Sequence, residues 1–140
     1  MSGLRTAGEG TPSPRGPFAV TVGADSASPA RARQVIRGLG LPRPVEDDAL
    51  LITSELVSNS VLHAEMVPSD AILLKVDSRP DRLRVAVRDP GRSEERPVPV
   101  ATETAHGGWG MRLVERLSDG WGVVERPACT CVWFELSIGR

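Results

Sequence analysis

The stretch that says most about the fold is residues 54–64, SELVSNSVLHA. It ends a longer segment, about residues 45–64, in which large apolar side chains recur at helical spacing. Because Pro68 cannot continue a helix, we expect this helix to end before it. The recurring side chains are Leu50, Leu51, Leu56, Val57, Val61 and Leu62.

Three polar side chains of this helix share one face. Glu55, Asn59 and His63 are each four residues apart, which aligns them in a column. The column is compatible with an ordinary solvated surface. A carboxylate and an amide oxygen one turn apart could also hold Mg²⁺, which proteins bind through few oxygens while phosphates and water complete the shell.

Shorter elements flank this helix, and their order predicts the fold class. Strands occur in consecutive pairs instead of alternating with helices. We therefore expect an α+β fold, a two-layer α/β sandwich in which a mixed, mostly antiparallel sheet is covered on one face by about three helices. Besides the long helix, the predicted elements are a strand at 18–22, a helix from Ser28 as N-cap to Gly38, strands at 71–76 and 83–87, a helix from Met111, and strands at 121–125 and 129–138.

Length and composition fit one domain. The chain has 140 residues, with 17 Lys or Arg against 18 Asp or Glu and a formal net charge of −1. Residues 1–16 contain one large apolar side chain, Leu4, so we expect a disordered tail before a domain over 17–140. We also expect a cytoplasmic protein, because no apolar run has the length of a membrane span and two cysteines cannot form a disulfide framework.

Charge and residue type argue against several functions. The near-neutral balance shows no sign of the clustered positive charge that nucleic-acid binding needs, and aromatic residues are scarce. Lys75 is the only lysine and lies outside any Gly-rich loop, which excludes a P-loop nucleotide site. We expect neither nucleic acid nor a membrane as a direct partner.

Two further motifs could carry chemistry. Asp89 directly follows an apolar run and precedes Pro90 and Gly91, so its carboxylate would lie at the mouth of the sheet, although Asp-Pro-Gly is also a common turn. Residues 106–110, HGGWG, precede a predicted helix. Glycines let the backbone approach a ligand closely, and a helix N-terminus attracts phosphate. A flexible hinge without a ligand is the alternative interpretation.

Together and in this order, the motifs resemble those of the GHKL (Bergerat-fold) ATPases. The matching stretches are SELVSNSVLHA, RDPG, GGWGMRLVERLSDGWGV and VWFEL, and the resemblance covers about residues 17–138. Within that superfamily the chain is most similar to the anti-sigma-factor serine kinases and related stand-alone ATP-binding proteins of actinomycetes. The resemblance implies the histidine kinase-like ATPase fold and binding of ATP with Mg²⁺.

The resemblance also implies roles for the matching residues. Glu55 would act as general base toward a serine hydroxyl, Asn59 would coordinate Mg²⁺, and Asp89 would accept the adenine amino group. The other residues implied to bind the nucleotide are His63, Gly91, His106, Gly107, Gly108, Trp109, Gly110 and Met111.

The leading hypothesis is therefore a regulator that transfers the γ-phosphoryl group of ATP to a serine of an antagonist protein. A sigma factor or similar regulatory protein and an anti-anti-sigma-like antagonist are the implied partners. Dimerisation is common in such regulators, although no apolar stripe in the sequence requires a homodimer.

The alternative is a non-catalytic binding module that sequesters a partner. His106 replaces a basic residue of relatives, the 89–108 loop is short, and Cys131 stands where a hydroxyl would bond the adenine region. A detached ATPase domain of a histidine-kinase system is disfavoured, because the chain carries no dimerisation helices with a phospho-accepting His.

The cysteines and tryptophans have a structural interpretation. Cys129 and Cys131 fall on one face of the last strand, and without nearby His or further Cys a shared metal is disfavoured. We expect both to be small core residues. Trp109, Trp121 and Trp133 are interpreted as core or interface anchors, although Trp109, inside the Gly-rich motif, could instead cover the nucleotide.

Overall fold

The computed structural model describes residues 16–63, 70–89, 110–126 and 129–139. Within these ranges the chain forms five strands and three helices in the predicted order. The predicted tail lies outside them, apart from Gly16, which begins the first strand. The elements are β1 (Gly16–Thr21), α1 (Ser28–Arg37), α2 (Arg43–His63), β2 (Leu73–Ser78), β3 (Arg82–Asp89), α3 (Gly110–Leu117), β4 (Gly120–Arg126) and β5 (Cys129–Ser137).

The five strands form one sheet in the order β1-β2-β3-β5-β4. Each pair of neighbours is antiparallel. Since β5 inserts between β3 and β4, the end of β3 meets the start of β5, and Asp89 lies opposite Thr130. The predicted α+β class is confirmed.

One face of the sheet packs against the helices, and the two-residue period of a strand decides which side chains lie there. In β3, Leu83, Val85 and Val87 are buried and alternate with three arginines and Ala86. Phe134 of β5 pairs with Val85 and is the largest fully buried side chain among the described residues. The rest of this core comes from the helices and other segments: Val22, Ala32, Ile36, Leu39, Ala49, Ile52, Leu56, Val57, Ile72, Leu74, Val76, Val114 and Leu136.

The start of α1 differs from the prediction. Ala27 occupies the N-cap position, and Ser28 is already helical. The buried Ser28 hydroxyl accepts a hydrogen bond from the Asp25 N–H at 2.9 Å, and Asp25 Oδ1 accepts one from the Ala27 N–H at 2.8 Å. These short polar side chains therefore bond the turn before the helix instead of the free N–H groups of its first turn.

Among the helices described, none is long and apolar enough to cross a lipid bilayer.

The opposite face of the sheet, which we call the open face, carries the Trp133 indole. The ring lies against β4, so that a methyl group added at Gly122 would be 2.7 Å from Trp133 Nε1 and 2.9 Å from Cε2. The Arg84 guanidinium covers the ring, with Cζ 4.0 Å from its centroid. The indole thus lies between Gly122, which has no side chain, and the Arg84 guanidinium.

Gly122→Ala is expected to lower the free energy of unfolding by about 1–2 kcal/mol. The overpacking cost of displacing the indole is about 1–3 kcal/mol, and the reduced entropy of the unfolded chain offsets about 0.4–1 kcal/mol of it. Urea denaturation measures the change. Gly120→Ala is the matched control, because its added methyl group would meet Trp133 no closer than 4.0 Å. Equal losses in the two variants would contradict this account.

Candidate functional site

The end of α2 and the carboxylate of β3 meet in the folded chain. Ser60, which follows Asn59, donates a hydrogen bond of 3.2 Å from its hydroxyl to Asp89 Oδ2. This bond joins two motifs that are 29 residues apart in the sequence. The end of α2 and the end of β3 therefore form one polar site at an edge of the core.

Asp89 is buried, with only 7% of its surface exposed. It continues the alternation of Leu83, Val85 and Val87, so it belongs to the sheet face that packs against the helices. Burial of a carboxylate is costly unless hydrogen bonds compensate it, and Ser60 supplies one. A carboxylate held in this way is a pre-oriented acceptor for an amino or hydroxyl group of a ligand.

Glu55 and Asn59 are half-buried. They lie between the buried side of α2, which includes Leu56 and Val57, and its exposed side, which includes Leu62. One carboxylate and one amide oxygen, one helical turn apart, are donors of the kind that Mg²⁺ prefers. This donor set fits a hard cation shared with ligand phosphates.

Thr130 is a further candidate that the sequence motifs do not indicate. It lies directly opposite Asp89 in the pairing of β3 with β5. Residues paired in this way point to the same sheet face, with Cβ atoms about 4.5–5.5 Å apart. The alternation of Val132 and Phe134 in β5 was the available signal, because it places position 130 on the helix-covered face as well.

The same register corrects two expectations about the cysteines. Cys131 points away from Asp89, so it does not replace a hydroxyl at this site. Cys129 and Cys131 are partly exposed on the open face and are not core residues. Burial raises the pKa of the Cys131 thiol, a shift that the nearby Lys75 opposes, so the thiol stays protonated at neutral pH. No group of three metal-ligating side chains occurs within the described ranges.

The other predicted nucleotide-binding residues are described only in part. α3, which contacts α2, begins where the Gly-rich motif ends. The backbone alone is described for His63, at the end of α2, and for Gly110 and Met111, at the start of α3. Outside the described residues lie Gly91, His106, Gly107, Gly108 and Trp109, as well as the rest of the 89–108 loop.

Comparison with known proteins identifies a family. A family model described as a histidine kinase-like ATPase domain matches residues 23–136. No curated protein matches the chain.

Solved structures share the fold. The RsbU and RsbW domains of Rv1364c from Mycobacterium tuberculosis are 19% identical, with a TM-score of 0.66 over 91% of this chain and 34% of that chain. The blue-light activated histidine kinase EL346 of Erythrobacter litoralis is 21% identical, with a TM-score of 0.58 over 85% of this chain and 42% of that one. A separate structure of its histidine kinase domain is 23% identical, with a TM-score of 0.56 over 80% of this chain and 60% of that one. The chain thus spans less than two thirds of each of these proteins.

Proposed function

The chain belongs to the histidine kinase-like ATPase family, and from that premise we propose that it binds ATP with Mg²⁺ and transfers the γ-phosphoryl group to a serine of a partner protein. The observation that carries this proposal is the hydrogen bond from Ser60 to Asp89, because it places the buried carboxylate against the residue of α2 that follows Asn59.

Asp89 suits an adenine base. Its carboxylate accepts a hydrogen bond from the exocyclic amino group of adenine, whereas guanine would present a carbonyl oxygen to it. Ser60 orients the carboxylate from the α2 side. Thr130, opposite Asp89, adds a hydroxyl that can donate or accept beside the base.

The α2 column suits phosphoryl transfer. Asn59 would hold Mg²⁺ through its amide oxygen, and the bound ion would neutralise charge on the phosphates. Glu55 lies one turn away and accepts the proton of the serine hydroxyl. The serine oxygen bonds to the γ-phosphorus as the bond to the β–γ bridging oxygen breaks, which leaves phosphoserine and ADP.

The position of Thr130 weakens the case for a non-catalytic module. That alternative depended in part on Cys131 replacing a hydroxyl, and the register places Thr130 beside Asp89 instead. The proposed acceptor is an anti-anti-sigma-like antagonist, and the proposed sequestered partner is a sigma factor or a similar regulatory protein.

A nucleotide titration with and without Mg²⁺ tests the proposal. Wild-type protein should bind ATP more tightly in Mg²⁺ than in EDTA. Asn59→Ala should reduce this gain by at least about tenfold, since loss of even an outer-shell partner of a metal typically costs about 10–100-fold in affinity. The affinity in EDTA should stay unchanged, because the adenine contacts remain.

Calorimetry gives both affinities. Gln34→Ala, which removes an exposed amide from α1, is the matched control and should keep the full gain. If Mg²⁺ increases the ATP affinity of Asn59→Ala as much as that of the wild type, Asn59 does not hold the metal. Absence of ATP binding by folded wild-type protein would overturn the proposed function.

A further inference from the structure

The open face of the sheet carries an apolar groove. It has a volume of about 550 Å³. Its lining includes Ala19, Ala86, Val124 and Trp133, from four different strands. The register places them side by side, since Ala86 pairs with Trp133, while Val124 pairs with Cys131, another lining residue. Val124 is 37% exposed, so solvent reaches an apolar side chain of this groove.

The open face is positively charged, although the chain as a whole is not. Among the described strand residues, five cationic and two acidic side chains alternate onto it, a net charge of +3, whereas the whole chain has a net charge of −1. The cationic residues are Lys75, Arg82, Arg84, Arg88 and Arg126, and the acidic ones are Asp77 and Glu135.

The two acidic side chains are already paired. Glu135 bonds Arg84 at 2.8 Å and lies 4.0 Å from Arg82, while Asp77 bonds Arg79 at 2.8 Å. Within the part of the chain that is described, Lys75, Arg88 and Arg126 have no carboxylate within 4.0 Å. Three cations with no carboxylate partner among the described residues therefore lie on the same sheet face as the apolar groove, and Lys75 is part of its lining.

This combination selects one class of partner. Trp133 is covered by Arg84 and β4, so it offers no free ring on which a nucleic-acid base could stack. A second copy of the open face would oppose +3 with +3. Residues 1–15 contain two arginines and one glutamate, so this segment does not match the charge either. We propose that the open face docks an acidic, aliphatic segment of another protein.

A labelled peptide of alternating Glu and Leu is the probe, and fluorescence anisotropy measures its affinity. The wild-type chain should bind it. Lys75→Glu with Arg88→Glu should weaken binding by at least about tenfold, and Val124→Asp should do the same by placing a charge in the floor. Arg33→Glu with Arg37→Glu, an equal change of charge on α1, should leave the affinity unchanged.

Three further measurements keep the proposal falsifiable. A Lys-Leu peptide and a peptide of residues 1–15 should bind at least about tenfold more weakly than the acidic probe. ATP affinity should be the same in all these variants, so this test is separate from that of the proposed function. Sedimentation should not reveal a wild-type dimer that is lost in the Val124→Asp variant.

Several results would overturn the proposal or assign the open face to a different partner. Failure of the acidic probe to bind folded wild-type protein, or equal binding by the Lys75/Arg88 variant, would overturn the proposal. Tighter binding of a single-stranded oligonucleotide that competes with the probe would assign the face to nucleic acid. A dimer lost on Val124→Asp would assign it to a second copy of the chain.

Discussion

Glu55→Gln is expected to slow phosphoryl transfer to the acceptor serine by about 10²–10⁴-fold, the usual contribution of a general base. Glutamine has the size and shape of glutamate, so the half-buried position on α2 is preserved, but its amide cannot take the serine proton. ATP affinity measured without Mg²⁺ should therefore be unchanged. Labelled ATP, a candidate antagonist protein and identification of phosphoserine by mass spectrometry measure the rate.

Glu46→Gln is the matched control for this experiment. Glu46 lies in the first turn of the same helix and is also partly buried, so its substitution makes the same chemical change away from the site. Its transfer rate should equal that of the wild type. Transfer by Glu55→Gln at the wild-type rate would exclude Glu55 as the base. Wild-type protein that binds ATP but forms no phosphoserine with any candidate antagonist would favour the sequestering module.

Substitution of Asp89 is expected to weaken ATP binding in two steps. Asp89→Asn keeps the shape but removes the charge from the acceptor, and since charged hydrogen bonds exceed neutral ones by about 1–1.5 kcal/mol, the affinity should fall roughly tenfold. Asp89→Ala removes the acceptor altogether, which should cost about 3 kcal/mol and lower the affinity about 100-fold. Wild-type protein should also prefer ATP to GTP, and this preference should disappear in Asp89→Ala.

Calorimetric titration with each nucleotide checks these values. Thermal denaturation shows whether the alanine variant remains folded, because it also deprives Ser60 of its acceptor. The matching changes Asp81→Asn and Asp81→Ala, at an exposed residue of the β2–β3 turn, should leave ATP affinity unaltered. A folded Asp89→Ala variant with wild-type affinity would show that the nucleotide binds elsewhere.

The helices and strands of this protein could be predicted from sequence because each depends on the spacing of apolar residues within its own segment. The helical spacing of Leu56 and Val57 with their neighbours determines α2. The alternation of Leu83, Val85 and Val87 with arginines and one alanine determines β3. The same local patterns identified Glu55, Asn59 and Asp89 as candidates. The N-cap of α1 was missed because Ser28 bonds back to Asp25, a choice between two local hydrogen bonds that the pattern leaves undecided.

Only the tertiary structure decided which residues surround Asp89. Ser60 reaches it because α2 packs across the end of β3, and Thr130 lies beside it because β5 pairs with β3 in one register. A register shift of one residue would have placed Cys131 opposite Asp89 instead of Thr130. It would also have turned all the side chains of β5 to the opposite face of the sheet. The positive charge of the open face has the same origin. Sequence alone determines which side chains alternate along each strand, whereas the pairing of strands distant in sequence determines which of them share a surface.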